Sequence, residues 1–391
     1  MNVIQKLLNL IIPPQQKPLP AGMYEFHTEA DAEKQYRLHL RIENDGGGLL
    51  VVNASTVLHL NQTAAEFAYH FIQNTPEDTA IDAVSRRYNV NRDQARSDYL
   101  VLKDQLEILT TTEDLDPETF LGLDRSQPYQ NLSTPIRLDC ALTYQCSDGT
   151  RDEISPENRV RRELVTEEWQ YILTKAWTAG VPHILFTGGE PTLRPDLPEL
   201  IKKAEALGQV TGLLTDGLRL SERDYLHQLL SAGLDHLMLV LSPSDEQSWE
   251  ALRDALAEDI FITAHITLTP HNRADLFPVI DRLQKMGVPA LSFSTTDAAL
   301  AADLQAARDY ATGKGIKLVW DMPVPYSQLN PVSLELIESG ESVQGAGTAW
   351  LYVEPDGDVL PAQGIVTVLG NLTVDPWETV LANARKYANA G

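Results

Sequence analysis

The stretch Phe186-Thr187-Gly188-Gly189-Glu190-Pro191-Thr192-Leu193 decides how this chain folds. It follows a short apolar run, residues 181–185, and leads into an amphipathic segment, so it marks a turn where a β-strand gives way to a helix. Two adjacent glycines allow positive φ angles and leave no side chain between the backbone and a ligand. Glu190, directly behind them, can hold an ammonium group. Two glycines alone would favour an ordinary βα turn that binds nothing.

The middle of the chain continues this alternation of strands and helices. Short apolar strands separated by helices predict parallel βα units with right-handed crossovers. The expected architecture is α/β, a partial (β/α) TIM-like barrel over residues 135–320, with functional groups at the C-terminal ends of the strands. The predicted strands are 136–143, 184–187, 210–215, 236–241, 260–269, 291–293 and 316–320.

The segment before the barrel has a different texture. Residues 21–110 combine short strands, a Gly46-Gly47-Gly48 turn and three amphipathic stretches, which predicts a small winged-helix α+β domain. Asn61 or Thr63 is expected to cap its first helix. Residues 1–20 predict a tail and a proline-rich linker, and residues 111–134 an acidic linker.

The segment after the barrel, residues 321–391, predicts a short extension. Apolar residues flank Pro355-Asp356-Gly357, which is typical of a β-hairpin turn. A helix containing Trp377 is expected to follow.

The composition excludes several classes of function. The net charge is -24 over 391 residues, so nucleic acid is not expected as a partner, because phosphate binding needs concentrated Lys and Arg. The chain has 2 cysteines, which excludes a disulfide framework and suits a cytoplasmic protein. No apolar run approaches the roughly 20 residues that cross a bilayer, so no transmembrane segment is expected.

The string Gly188-Gly189-Glu190-Pro191 resembles the GGEP motif of radical S-adenosylmethionine (SAM) enzymes. In that family the turn receives the amino end of SAM. Leu214-Thr215-Asp216-Gly217 resembles a family turn that often reads TNG, and Ser242 matches a position that often lies near SAM. The resemblance implies a vestigial SAM pocket, kept either for weak SAM binding or only to stabilise inherited turns, at Gly188, Gly189, Glu190, Thr215, Asp216 and Ser242.

The iron–sulfur ligands of that family are missing. Radical SAM chemistry needs a [4Fe–4S] cluster, usually held by three thiolates in C-x-x-x-C-x-x-C after the first strand. The matching positions are Cys146, Thr150 and Glu153, so one thiol remains. Cys140 lies upstream on an extended strand, roughly 20 Å away. With 2 cysteines, three-thiolate ligation within this chain is impossible, and we expect no [4Fe–4S] cluster and no functional radical SAM enzyme.

Residues 321–391 resemble the remains of a SPASM or twitch extension, which carries auxiliary iron–sulfur clusters in peptide-modifying members. The family would place cysteines at Gln344 and Ala362. Neither position holds a thiol, so the resemblance implies that the auxiliary clusters are lost as well.

Residues 21–110 resemble the PqqD-like domain, also called the RiPP recognition element, which binds the leader of a precursor peptide. The resemblance rests on residues 47–53 (GGLLVVN), residues 58–64 (LHLNQTA) and the last helix. It implies a leader peptide or a protein partner that adds to an edge strand. The candidate edge strand is Val51-Val52-Asn53 or its hairpin partner, facing a helix over residues 93–106.

Three functions remain open from the sequence. The first is a cluster-less pseudoenzyme of the radical SAM fold that binds a peptide or protein in a peptide-maturation system of the RiPP or PQQ type. The second is a radical SAM enzyme whose cluster is completed by ligands from a partner chain. The third is a metal-dependent hydrolase or lyase at the barrel rim, using groups such as Glu190, Asp216 and His271. The missing ligands favour the first.

Overall fold

The protein is represented by a computed structural model that describes residues 19–28, 36–52, 56–111, 132–149, 152–295, 297–320, 322–334 and 345–389. The chain divides into two compact units, Met1–Ser133 and Thr134–Gly391. Most of the predicted tail and linker of residues 1–20, and most of the predicted linker 111–134, lie outside the described residues. Within the described ranges, no helix is long and apolar enough to cross a membrane.

The described part of the N-terminal unit is an antiparallel sheet followed by helices. Its strands are β1 (Gly22–His27), β2 (Arg37–Ile42), β3 (Gly48–Val52) and β4 (Thr56–Leu60), and its helices are α1 (Gln62–Ile72), α2 (Glu77–Tyr88) and α3 (Arg92–Thr111). Leu38, Leu40 and Leu50 share a buried cluster with residues of α1 and α3. The Asn61 side chain caps α1 by accepting a hydrogen bond from the Ala64 amide at 2.9 Å. The predicted order of strands and helices is confirmed, and β1 is a strand that the sequence pattern did not reveal.

The position of β3 corrects the predicted edge strand. The sheet order is β1-β2-β3-β4, so β3 pairs with β2 on one side and with β4 on the other. Val51 and Val52 therefore lie in an interior strand, whose backbone groups are already used in both ladders, and Asn53 lies outside the described residues. The edges are β1 and β4, the latter being a hairpin partner of β3.

The second unit is built on one long sheet. Its strands are β5 (Arg137–Thr143), β6 (His183–Gly188), β7 (Val210–Thr215), β8 (His236–Val240), β9 (Phe261–Leu268), β10 (Ala290–Thr295), β11 (Lys317–Leu318), β12 (Trp350–Val353), β13 (Asp358–Leu360) and β14 (Gly370–Asn371). They are joined in the order β11-β10-β9-β8-β7-β6-β5-β12-β13-β14. Neighbours from β5 to β11 are parallel, which confirms the predicted partial (β/α) barrel. The last predicted strand, 316–320, shortens to the two residues of β11.

Helices cover the outer face of this sheet. They are α4 (Thr166–Thr178), α5 (Leu197–Leu207), α6 (Arg223–Ser231), α7 (Glu246–Ala255), α8 (Leu276–Met286), α9 (Ala301–Gly313) and α10 (Trp377–Ala388). In β5, alternate side chains point to opposite faces of the sheet. Leu138, Cys140 and Leu142 belong to the large core shared with the helices. Arg137 and Asp139, at the alternate positions, line a cavity on the other face.

The C-terminal extension continues the barrel sheet. β12 adds in parallel to β5, with Trp350 opposite Arg137, and β13 returns antiparallel to β12 as the predicted hairpin. The Lys175 ammonium of α4 donates to the carbonyl oxygens of Leu372 at 2.6 Å and Asp375 at 2.9 Å. These contacts place the described residues of the extension in the same compact unit as the barrel. The boundary between residues 320 and 321 stays a prediction.

Candidate functional site

The GGEP turn borders a cavity of about 410 Å³ at the C-terminal ends of the parallel strands. Gly189 and Glu190 follow β6, Asp216 follows β7 and Ser242 follows β8, so the barrel topology brings together residues that are far apart in the chain. The lining residues are Cys146, Ser147, Asp148, Gly189, Glu190, Asp216, Leu218, Val240, Ser242, Ser244, Asp245 and the segment 325–329.

Glu190 is buried beneath this cavity and accepts three hydrogen bonds from the protein. Its Oε1 atom accepts from the Thr192 amide at 2.9 Å and from the Thr215 hydroxyl at 2.8 Å. Its Oε2 atom accepts from the Asp216 amide at 2.8 Å. The side chain thereby joins the turn after β6 to the end of β7. Its first role in this structure is to fix two strand ends relative to each other.

The electrostatic environment of Glu190 is acidic. Burial, and secondly the neighbouring Asp216 carboxylate, raise the pKa of Glu190 to about 8, although the hydrogen bonds from Thr192 and Asp216 favour its charged form. Asp148 and Asp245 also line the cavity, whose described lining residues include neither Lys nor Arg. The cavity therefore suits a cationic ligand group better than an anionic one.

The two glycines of the turn are required by packing against another part of the backbone. A Cβ atom on Gly188, which has φ +121, would overlap the Thr143 carbonyl oxygen, and one on Gly189 would overlap the Gln145 carbonyl oxygen. The amide of Gly189 donates to Thr143 at 2.8 Å, and that of Glu190 donates to Gln145 at 2.7 Å. The glycines therefore have a structural requirement of their own, because the turn docks on residues 143–145. Gly189 also lines the cavity, and its role toward a ligand stays a prediction.

The other predicted pocket residues take different places. Thr215 is fully buried, donates to Glu190 and accepts from the Gly217 amide at 3.0 Å, so it supports the turn from beneath the cavity. Asp216 lines the cavity and accepts from the Leu218 amide at 3.0 Å. Ser242 also lines it. Gly188, by contrast, is not among the lining residues; its carbonyl accepts from the Tyr326 amide at 2.8 Å.

Cys146 lies at the edge of this cavity, where its thiol is buried and hydrogen-bonded. Its thiol donates to the Tyr326 carbonyl at 3.3 Å. Burial, followed by the carboxylates of Asp148, Glu190 and Asp216, raises the pKa of this thiol to about 12. Iron–sulfur clusters are held by thiolates. The local field therefore favours the protonated form of this thiol.

The remaining cluster positions fit no better. Cys140 is fully buried in the core between β5 and the helices, and burial raises the pKa of its thiol well above the usual value. Glu153 is exposed, whereas Thr150 lies outside the described residues. Of the auxiliary positions, Ala362 is buried and Gln344 lies outside the described residues. The 2 thiols of the sequence are fewer than the three thiolates that usually hold such a [4Fe–4S] cluster.

The rim lacks a compact set of metal ligands as well. Within the described part of the chain, only one group of three His, Cys, Asp or Glu residues brings donor atoms within 4.8 Å of one another, and it lies in the N-terminal unit. Glu190, Asp216 and His271 do not form such a group. The predicted hydrolase or lyase thus has no preformed metal site at the described rim.

A second cavity, of about 280 Å³, lies inside the barrel unit and was not predicted. Arg137 donates to Asp139 at 2.6 Å within it. His265 contacts Ser292 at 3.1 Å and Ser294 at 3.0 Å, and burial lowers its pKa to about 3, so its imidazole is neutral. The sequence does contain a signal for this cavity. Polar residues occur at alternate positions of otherwise apolar strands, and these side chains point to the face of the sheet opposite the helices.

The second cavity is also lined by the cation Arg308. The Arg308 guanidinium stacks over the Trp320 ring at 4.4 Å and donates to the Phe293 carbonyl at 3.4 Å. No described residue forms an ion pair with it. The two cavities share Tyr326 in their linings, so an acidic and a basic pocket are neighbours within one unit.

Comparisons with known proteins agree with this geometry. The profile of the Radical SAM superfamily matches residues 140–300. The PqqA peptide cyclase of Methylorubrum populi is 30% identical over 281 residues, which cover 62% of this chain and 70% of that protein. The PqqA peptide cyclase of Streptomyces rochei is 29% identical over 259 residues, covering 59% and 70%.

Solved structures show the same fold. Streptococcus suis SuiB bound to S-adenosylmethionine has a TM-score of 0.57 at 15% identity and covers 91% of this chain and 88% of its own. SuiB bound to the precursor peptide SuiA has a TM-score of 0.57 at 14% identity, with coverage of 88% and 86%.

Proposed function

We propose that this chain, which belongs to the radical SAM superfamily, works without an iron–sulfur cluster as a peptide- or protein-binding member of a peptide-maturation system. The observation that carries the proposal is the state of its cysteines. There are 2 in the chain. Cys140 is buried between the sheet and the helices, and the thiol of Cys146 donates to the Tyr326 carbonyl. Binding a peptide needs none of the missing ligands.

The names of its relatives indicate the class of partner. The sequence relatives are cyclases of a peptide, PqqA, and one structural neighbour is bound to a precursor peptide. We transfer to this chain only the class, a ribosomally made precursor peptide or the protein that carries it. The resemblance of residues 21–110 to a PqqD-like domain, and of residues 321–391 to a SPASM or twitch remnant, supports the same assignment.

SAM is a weak ligand in this proposal. A group with the ammonium and sulfonium charges of SAM suits the acidic lining at Asp148, Asp216 and Asp245. Glu190 retains the family position, but its oxygens already accept three hydrogen bonds from the protein. When bound to a cluster, SAM supplies a radical in this family; no step of that kind is assigned to this chain.

We propose β1 as the peptide-binding edge of this sheet, with β4, the hairpin partner of β3, as the alternative edge. Strand β1 contributes Tyr24 and Phe26 to the cluster that contains Leu106 and Leu109 of α3, so β1 and α3 pack on one shared core of the N-terminal unit. Two adjacent apolar side chains of α3, Leu100 and Val101, are 45% and 54% exposed and are therefore available to a partner. A peptide added to β1 would gain backbone hydrogen bonds from the edge and side-chain contacts from α3.

Replacing Val101 by aspartate is expected to weaken partner binding at least tenfold, because a charge would enter the apolar part of the interface. The full-length chain is immobilised and used to capture a partner from native cytosol. The partner is identified, made synthetically and titrated. The matched control is Val165→Asp in the barrel unit, where valine is also 54% exposed. A partner that binds both variants equally would contradict the proposed site, and no retained partner would remove the recognition role.

Reconstitution with iron and sulfide under anaerobic conditions is expected to leave this chain without a stoichiometric cluster, because only one rim thiol is available. The measurement is iron content, together with the visible absorption of iron–sulfur clusters. The positive control is Thr150→Cys combined with Glu153→Cys, which restores the family spacing around Cys146. About four irons per wild-type chain, with reductive SAM cleavage, would overturn the proposal. A cluster that forms only with a copurified second chain would support the enzyme with shared ligands.

A further inference from the structure

Three potential metal ligands meet on one face of the β1–β2 hairpin. Glu25 and His27 are alternate residues of β1, so both point to the face opposite Tyr24 and Phe26. His39 of β2 lies directly across from Glu25 in the strand register. Their donor atoms all fall within 4.8 Å of one another. The antiparallel pairing, and not proximity in sequence, creates this triangle.

We propose that Glu25, His27 and His39 bind a divalent transition-metal ion, with Zn²⁺ as the best match. Two imidazoles and one carboxylate are a ligand set that suits Zn²⁺ and its neighbours, whereas Mg²⁺ and Ca²⁺ prefer oxygen ligands alone. This assignment does not rest on the proposed peptide-binding function.

The distances are compatible with ligation after small side-chain movements. The Nε2 atom of His27 lies 4.0 Å from a carboxylate oxygen of Glu25, and the rings of His27 and His39 have centroids 6.0 Å apart. Ligands about 2.1 Å from a tetrahedral Zn²⁺ are roughly 3.4 Å apart. The side chains of His27 and Glu25 are 41% and 43% exposed and can rotate toward a shared ion.

The surroundings define the kind of site. His39 is 1% exposed, so it supplies a fixed inner ligand, and the two exposed groups close over the ion from outside. Three protein ligands leave a coordination position for water or for a residue of a bound partner. Arg37 lies opposite His27 in the register and brings one positive charge near the site. We therefore expect binding of intermediate strength and not that of a buried structural zinc site.

A bound ion would join the edge strand β1 to β2 by its side chains. The backbone ladder between these strands runs from Gly22 opposite Ile42 to His27 opposite Arg37. His27 is the last residue of β1, and just beyond it the Thr28 amide donates to the Tyr36 carbonyl at 3.2 Å. Metal binding at this point would add a side-chain link to the backbone hydrogen bonds at this end of the hairpin.

The test uses the untagged full-length chain, stripped of metal with a chelator and titrated with Zn²⁺ in competition with a chromophoric chelator. Wild type is expected to bind one equivalent with a dissociation constant of about 10 µM or lower. His27→Ala and Glu25→Gln are each expected to raise that constant at least tenfold. Both side chains are substantially exposed, so their loss should leave the fold intact. Co²⁺ titration supplies an independent readout, because its visible absorption reports the coordination geometry.

The matched control is His227→Ala. His227 lies 3.0 Å from Glu258 on the barrel unit, with side-chain exposures of 56% and 32%, and so offers a similar His–Glu pair without a third ligand. This variant is expected to bind Zn²⁺ as wild type does. Zinc affinity that is unchanged in both His27→Ala and Glu25→Gln, or no stoichiometric binding up to about 100 µM, would overturn the proposed site.

Discussion

Replacing Gly188 by alanine is expected to lower the free energy of unfolding by about 4 kcal/mol, the largest effect of any single substitution predicted for this protein. Two causes act together. The residue has φ +121, where an L side chain is strained, and its Cβ atom would overlap the Thr143 carbonyl oxygen. That oxygen accepts the Gly189 amide at 2.8 Å, so the clash cannot be relieved without breaking the docking of the turn on β5.

The matched control for this substitution is Gly287→Ala. Gly287 ends α8 with φ +80, but nothing lies within 4 Å of an added Cβ atom. Only backbone strain should destabilise this variant, so its free energy of unfolding is expected to fall by about 1 kcal/mol. Urea denaturation followed by circular dichroism measures both variants. Equal losses at the two positions would show that the contact with Thr143 carries no energy and that strain alone is responsible.

The second large effect is expected at Glu190. Glu190→Ala removes the acceptor of three buried donors, the amides of Thr192 and Asp216 and the hydroxyl of Thr215. Leaving such donors without a partner should cost about 3 kcal/mol in unfolding free energy. The control is Glu250→Ala on the exposed face of α7, which should change stability by less than about 0.5 kcal/mol.

The stability contributed by Glu190 should also depend on pH. Its pKa is raised from 4.5 to about 8 by burial and by Asp216, so the folded state keeps a proton that the unfolded state releases. The unfolded chain then binds fewer protons, and stability falls as pH rises through this window. Relative to Glu190→Gln, which cannot ionise, wild type is expected to lose about 2 kcal/mol of unfolding free energy between about pH 6 and pH 8.

Chemical denaturation of the two proteins across this pH range measures the difference. A stability difference that stays constant with pH would mean that Glu190 has the same affinity for protons in the folded and unfolded states. A wild-type protein that gains stability relative to Glu190→Gln as the pH rises would mean that the three hydrogen bonds outweigh burial and hold the carboxylate ionised.

The proposed metal site and the corrected peptide site bear on the same strand. Tyr24 and Phe26 of β1 face the core, while Glu25 and His27 face away from it. A peptide added to the edge of β1 and a metal bound on its outer face would therefore use different atoms of the same residues. The Val101→Asp and His27→Ala experiments separate the two, because each removes one interaction and leaves the other in place.

The secondary-structure elements and the lack of three cysteine thiolates could both be predicted from the sequence. Hydrophobic periodicity and glycine-containing turns are local properties, so they predicted the alternating strands and helices of the barrel and the turn at residues 186–193. The count of 2 cysteines is a property of composition, so the lack of three thiolates followed without any coordinates. The cap at Asn61 was equally local, because its partner, Ala64, is three residues away.

The tertiary structure alone decided what these elements contact. The glycines at 188 and 189 are needed because β5 lies beside β6, a pairing between distant segments that no local pattern encodes. Strand order placed Val51 in the interior of its sheet and made β1 an edge. Register placed His39 across from Glu25. Local sequence fixes backbone conformation through short-range sterics, whereas neighbours across a sheet depend on how the whole chain closes, and this is where the candidate sites arise.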